Sequence, residues 1–296
     1  MPKYTVIYNE DAGKNDNKSI AERFQQAAER LKRSTTLKAT SSRQEALDYV
    51  VDHIDQLDTV ITIGGDGSIN TVFSAFLKAK KSVKVGIIPG GTVNNFAKAL
   101  EIPQDEEAAF DTILNGHPLA VDLAHTEDRA IISSLTLGTL ADMARHVGQD
   151  EKKKWGPLIY LSKGIRQLIA KKSYQIKVST ADGDHVYRTR FLLATTTNSV
   201  GGFTNFDTSA SLADGKIHLV ILKHFSFMRL LGYLSYFLTG RFRDIKDVDQ
   251  LTAQKVEISA VDSHLKVETR IDGDPSDQLP IKLGVEQGFV QVMVPK

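Results

Sequence analysis

The chain has no cysteine. Disulfides, zinc–thiolate sites and a cysteine nucleophile are therefore excluded, a composition that suits a reducing compartment. It also lacks an excess of either charge: 37 Lys and Arg stand against 36 Asp and Glu, for a net charge of +1. A nucleic-acid partner is not expected from that balance. Long apolar runs are missing as well. Residues 225–238 come nearest, but Arg229 interrupts them, and a spanning helix needs about 20 residues. The first residues, Met1-Pro2-Lys3-Tyr4-Thr5-Val6, have neither the basic start nor the apolar core of a signal peptide. Internal repeats and low-complexity linkers are absent too. These absences point to a cytoplasmic protein whose membrane contact, if any, is peripheral.

What is present suffices for a large core. Hydrophobic residues make up 41% of 296 positions, an amount that suits two domains. Up to residue 123 the sequence alternates strand and helix signals. Strands are expected at residues 3–8, 36–40, 59–63 and 83–88, with helices at 18–31, 43–57, 68–80 and 93–100. Such repeated units imply a parallel, Rossmann-like α/β sheet. From residue 124 to 296 the pattern becomes mainly β, with strands expected at 130–135, 174–180, 185–197, 216–222, 255–260, 265–271 and 289–294. Helices are expected at 140–145, 158–170 and 227–238. This half reads as an antiparallel β-sandwich, with a C-terminal tail expected to return to the first domain.

Two loops carry chemistry. In Thr59-Val60-Ile61-Thr62-Ile63-Gly64-Gly65-Asp66-Gly67-Ser68-Ile69-Asn70 a short β-branched run ends at glycines and then starts a helix. Glycine lets backbone N–H groups approach an anion, and a helix N-terminus adds partial positive charge. Asp66 would repel a bare phosphate, so the loop suggests a phosphate that carries a metal ion. The same geometry recurs at Ile87-Ile88-Pro89-Gly90-Gly91-Thr92-Val93-Asn94-Asn95-Phe96-Ala97. Either loop alone can be read as a plain turn with a helix cap. Two in adjacent units flank the usual ligand crevice of an α/β sheet.

The pair of loops resembles the catalytic domain of soluble bacterial diacylglycerol kinases and related lipid kinases. Supporting stretches are Tyr8-Asn9-Glu10-Asp11-Ala12-Gly13-Lys14, Thr40, Trp155-Gly156-Pro157, Thr197-Asn198-Ser199-Val200-Gly201-Gly202-Phe203, Leu212-Ala213-Asp214-Gly215-Lys216 and Ile271-Asp272-Gly273-Asp274. The resemblance implies an ATP-binding domain followed by a β-sandwich, and transfer of phosphate from ATP to a lipid hydroxyl such as that of diacylglycerol. It places the nucleotide along Asn9, Glu10, Asp11, Ala12, Gly13, Thr40, Gly64, Gly65, Asp66, Gly67, Ser68, Ile69, Asn70 and Thr92, with Lys14 near the phosphates. Asp66 would face the nucleotide's Mg²⁺. A structural Mg²⁺ would sit on the Ser211 carbonyl, the Asp214 side chain and the Lys216 carbonyl. Asp274 takes the place of the family's general base, which is usually Glu. Asn95 stands where the family has Asp, and Thr71 where it has Glu; Asp122 matches a family aspartate.

A lipid acceptor implies contact with a membrane surface, for which Lys152-Lys153-Lys154-Trp155 and the segment 230–237 with Arg241 and Arg243 are candidates. A homodimer through the β-rich domain is a further expectation. Two other readings stay open: a kinase of NAD, from the Gly-Gly-Asp-Gly loop and fold type, and a nucleotide-binding regulator of weak activity, from Thr71, Asn95 and Asp274.

Overall fold

Four strands of the first half lie parallel in the computed structural model, which describes residues 3–9, 16–138, 173–197, 211–223 and 247–296. They are β1 (Lys3–Asn9), β2 (Ser34–Thr40), β3 (Thr59–Gly64) and β4 (Lys84–Pro89), in the order β2-β1-β3-β4. Helices α1 (Asn17–Arg30) and α2 (Arg43–His53) follow β1 and β2; α3 (Asp66–Ala79) and α4 (Asn95–Ala99) follow β3 and β4; α5 (Glu106–Asn115) comes next. Side chains alternate across the strands, so each face of the sheet gains its own core. Tyr4, Val6, Ile61 and Ile88 meet Phe24 of α1 and Phe110 of α5. Ile7, Val60, Val85 and Ile87 meet Val50 of α2 and Val72, Phe73 and Phe76 of α3. Burial on both faces is what a β-branched run such as Val60 to Ile63 predicts for a parallel strand.

The start of α2 is fixed locally. The Ser42 hydroxyl accepts the Glu45 N–H at 3.1 Å, and the Glu45 carboxylate accepts the Ser41 N–H at 2.8 Å. That N–H, the Lys38 ammonium and the Ser41 hydroxyl hold the Glu45 carboxyl down to about 2. This is close to a capping box, and it sets Arg43 at the first position of the helix.

The second half supplies β5 (His117–His125), β6 (Ala130–Ile131), β7 (Ser134–Gly138), β8 (Tyr174–Thr180), β9 (Gly183–Thr189), β10 (Phe191–Thr195) and β11 (Ile217–Leu222). Then come β12 (Val248–Ala253), β13 (Lys255–Ala260), β14 (Glu268–Ile271), β15 (Asp274–Gln278) and β16 (Ile281–Val294). The first sheet continues past β4 as β16-β13-β8-β9, and β5 also pairs with β16. The strand β16 is antiparallel to β13 and β5 and parallel to β4, where Gln291 is in register with Lys84. A second sheet, ordered β12-β11-β10-β7-β14-β15, is antiparallel throughout. Ile176, Val178, Ile258 and Leu283 of the first sheet pack on Leu135, Leu192, Leu219 and Ile271 of the second. The fold is thus a parallel α/β layer running into a β-sandwich.

Two expected strands divide. Residues 130–135 give β6 in the first sheet and the start of β7 in the second. Residues 185–197 form β9 in the first sheet and β10 in the second, with the break at Arg190. The buried Thr189 hydroxyl accepts the Phe191 N–H at 3.0 Å and lies 2.7 Å from the Leu222 carbonyl, which fastens the crossing point. The helices expected at 140–145, 158–170 and 227–238 lie outside the described residues. So do Trp155-Gly156-Pro157, the stretch 198–203, the lysines 152–154, Arg241 and Arg243.

Candidate active site

The two glycine loops are in direct contact at the carboxyl ends of β3 and β4. The Gly90 N–H donates to the Gly64 carbonyl at 2.8 Å. A Cβ on Gly91 would lie 2.6 Å from the Gly65 Cα and 2.6 Å from the Asn94 Oδ1. Only glycine at position 91 allows the loops to meet in this way. Asn94 adopts a left-handed conformation with φ of 54°, and its side chain bonds both the N–H and the carbonyl of Gly91. Asp66 completes the joint: Oδ2 accepts the Asn95 N–H and Oδ1 the Phe96 N–H, each at 3.0 Å. The acid expected to face a metal therefore also caps α4, with a lone pair left on each oxygen. Thr92 is exposed on the second loop.

A pocket of 260 Å³ opens where the strands end, lined among others by Asn9, Thr40, Arg43, Gly65, Gly67 and Ser68. The sequence candidates on β1, β2 and β3 are thus brought together. The Thr40 hydroxyl donates to the Tyr8 carbonyl at 3.1 Å and ties β2 to β1 at the pocket wall. Ile69 and Asn70 are placed elsewhere: Ile69 belongs to the core around Phe73, and Asn70 is turned toward the second sheet. Glu10, Asp11, Ala12, Gly13 and Lys14 lie outside the described residues. A wider depression of 620 Å³, which includes Asp58, Ser82 and Lys84, sits at the amino ends of β3 and β4. Ligands of open α/β sheets bind at the carboxyl ends, so the smaller pocket is the relevant one.

Arg43 was not singled out from sequence, and it is the one cationic side chain among the described residues lining the pocket. A Cβ on Gly67 would fall 2.7 Å from its Nη2, so the guanidinium lies directly against the loop. Its Nη1 makes a 2.6 Å ion pair with Oδ2 of Asp274, at the start of β15. Arg129 approaches the same oxygen at 3.5 Å. Asp274 is thereby brought beside the glycine loop.

Asp272, two residues earlier, is a second feature that the sequence did not reveal. Its Oδ1 accepts the N–H groups of Ser133 and Ser134, at 2.8 and 3.0 Å, and the Ser133 hydroxyl. Its Oδ2 accepts the Ile132 N–H at 3.0 Å and the Asn70 amide at 2.8 Å. The residue keeps some surface at its turn, but its carboxylate is enclosed, and burial pushes the carboxyl above the usual range despite these donors. Asp272 thus joins α3, the segment between β6 and β7, and the turn that delivers Asp274.

The turn at Ser211, Asp214 and Lys216 was expected to hold Mg²⁺, a cation that needs free oxygen ligands. Instead Asp214 accepts the Ser211 N–H at 3.3 Å, the Lys216 N–H at 2.9 Å and the His218 Nε2 at 2.8 Å. The imidazole and the Ser211 N–H share Oδ2 of Asp214, while Oδ1 accepts from the Lys216 N–H. Asp122 closes the turn from below, accepting the N–H groups of Gly215 and Gly288 at 2.5 and 2.8 Å. Among the described residues, no three His, Asp or Glu side chains converge on a metal position. No described helix is long and apolar enough to cross a membrane.

Comparison with known proteins matches residues 3–126 to the family described as "Diacylglycerol kinase catalytic domain". Residues 133–294 match the "YegS C-terminal NAD kinase beta sandwich-like domain". A candidate lipid kinase of Streptococcus pneumoniae serotype 4 is 29% identical, over 99% of this chain and 98% of that protein. The diacylglycerol kinase of Bacillus subtilis (strain 168) is 26% identical, over 100% of this chain and 97% of its own. Among solved structures, a candidate diacylglycerol kinase from Bacillus anthracis str. Sterne superposes with a TM-score of 0.83 at 21% identity. The match covers 99% of this chain and 96% of that one and shows that the fold is shared.

Proposed function

The chain belongs to the bacterial diacylglycerol kinase and lipid kinase family and is a kinase, and from that premise we propose that it transfers the γ-phosphate of ATP to the hydroxyl of diacylglycerol. The observation that carries the reading is the pair of fused glycine loops opening on a pocket with Arg43 and Asp274 at its rim. Backbone N–H groups at the start of α3 suit a polyphosphate, since a helix N-terminus carries partial positive charge. Asn9, Thr40, Gly65, Gly67 and Ser68 line the wall against which the nucleotide would lie. Glu10, Asp11, Ala12, Gly13 and Thr92 would complete it, as the resemblance implies. Magnesium arrives with ATP as part of the substrate, and the free lone pairs of Asp66 are the acidic ligands we assign to that encounter.

Asp274 is assigned as the base. It takes the proton of the lipid hydroxyl as the new O–P bond forms and the bond from the γ-phosphorus to the β–γ bridging oxygen breaks, leaving ADP. Catalysis in this class rests on positioning and charge neutralisation. The Asp272 network supplies the positioning, because it fixes the turn that carries Asp274. The lipid is presented at a membrane surface, with the protein bound peripherally. The structural Mg²⁺ plays no part in this scheme.

The test is incubation of the protein with labelled Mg-ATP and either diacylglycerol vesicles, a library of other lipid alcohols, or NAD, with products identified by mass spectrometry. Labelled phosphatidic acid is the expected product. Label on NAD with none on any lipid would refute the proposal, and label on another lipid alone would replace the acceptor.

A further inference from the structure

We propose that Arg43 is a positioning residue that exchanges partners: it holds Asp274 while the pocket is empty and transfers to the phosphates of the bound nucleotide, releasing the Asp274 carboxylate. The inference rests on the reading of the pocket as a nucleotide site and of Asp274 as the base. Three observations carry it. The guanidinium is packed against Gly67, inside the loop that would cradle the phosphates. It spans from there to Asp274 across 2.6 Å. Both partners are well exposed, at 62% and 44% of their side chains.

Exposure decides which partner wins. An ion pair open to water and salt contributes little. A polyphosphate offers more charge and the bidentate acceptor geometry that a guanidinium prefers. Arg43 therefore has more to gain at the nucleotide than at Asp274. Arg129 stays behind: it lies 3.5 Å from the same Asp274 oxygen and is braced by the Asn70 Oδ1 and the Pro275 carbonyl, each at 3.4 Å. The released carboxylate then remains aimed while losing its shorter contact. Without nucleotide the base is occupied; with nucleotide it is free to meet a hydroxyl. The arrangement links a full phosphate site to a competent base and disfavours reaction in the wrong order.

The experiment is a double-mutant cycle on Mg-ATP affinity, measured by isothermal titration calorimetry without lipid, using the wild type, Arg43→Ala, Asp274→Asn and the double variant. Arg43→Ala removes a charged phosphate ligand and should weaken binding about 10-fold or more. Asp274→Asn frees Arg43 and should tighten binding about 2–5-fold. In the Arg43→Ala background, Asp274→Asn should change nothing, because its effect passes through the arginine. A merely structural ion pair would weaken binding in both single variants. Thermal midpoints verify that all four proteins fold, which the exposure of both residues favours. Unchanged affinity in Arg43→Ala overturns the proposal, as does an equal tightening by Asp274→Asn with and without Arg43. A wild type that shows the cycle but labels no lipid keeps the exchange and removes the kinase assignment of the acceptor. A wild type that binds no Mg-ATP removes both.

Discussion

Replacing Asp272 tests whether one buried acid holds the two halves of the site in register. Five donors converge on its carboxylate, three to Oδ1 and two to Oδ2. In Asp272→Asn the amide oxygen can keep the Oδ1 partners, Ser133 and Ser134. Its NH₂ then faces the Ile132 N–H and the Asn70 amide, donor against donor. Leaving one enclosed donor unpaired costs about 1–3 kcal/mol. With the turn partly open to water, the expected loss is about 2 kcal/mol for Asn and about 4 kcal/mol for Ala. Urea unfolding read by tryptophan fluorescence and circular dichroism gives both values. A loss below about 0.5 kcal/mol in Asp272→Asn, the size of an ordinary surface change, would refute the argument.

The same variant has a pH signature. Burial raises the folded carboxyl above 3.8, so the native state binds this proton more tightly than the unfolded chain does. Its contribution to stability is fully present below pH 3.8 and is lost as pH rises through the folded value. Asn cannot titrate, so the gap between wild type and variant should widen on acidification and level off below pH 3.8. A gap that narrows instead would mean that the five donors outweigh burial.

Two further outcomes follow from the loops. Asp66→Ala removes two charge-assisted bonds from the start of α4 and should cost about 2–3 kcal/mol in urea unfolding together with phosphate transfer to lipid; full stability in that variant would contradict the capping role. Gly91→Ala forces apart backbones that a Cβ would approach to 2.6 Å, costing about 1–3 kcal/mol and raising the KM for ATP. An unchanged KM in a steady-state assay would show that the contact between the loops is not needed for nucleotide binding.

The loops were legible because their information is local. A β-branched run, a glycine pair and a helix start lie within a dozen residues, and Gly64 to Ser68 together with Gly90 and Gly91 fold where that pattern places them. Asp272 and Arg43 were not, for a different reason. Asp272 lies in an Asp-Gly-Asp-Pro stretch whose composition is that of any turn, and its partners come from α3 and from the segment before β7. Arg43 looks like the exposed first residue of a capped helix, and its partner Asp274 is brought to it only by the second sheet. The break at Arg190 was hidden for a third reason: no glycine or proline separates the alternating Val186-Tyr187-Arg188-Thr189 from the apolar Phe191-Leu192-Leu193, so the strand signal continues while the chain changes sheets. Asn70 shows the converse. It sits in the loop motif, yet the helical turn directs its amide away from the pocket and into the Asp272 network.

The pairing of β16 with β4 also has a bearing on how the protein is made. During synthesis, Lys84 leaves the ribosome long before its sheet partner Gln291 exists. Until then β4 has an unpaired edge and Val85 and Ile87 lack Val290 and Val292 of their shared core. A nascent chain in this state resembles a sheet with an open hydrophobic border, the condition that invites wrong pairing and aggregation. A fragment cut at the change of pattern near residue 123 would lack β16 and leave the β4 edge open. The seam is closed by Gln291 and Val292, which pair with Lys84 and Val85 of the strand that runs into the second glycine loop, so a truncation before residue 291 would remove it.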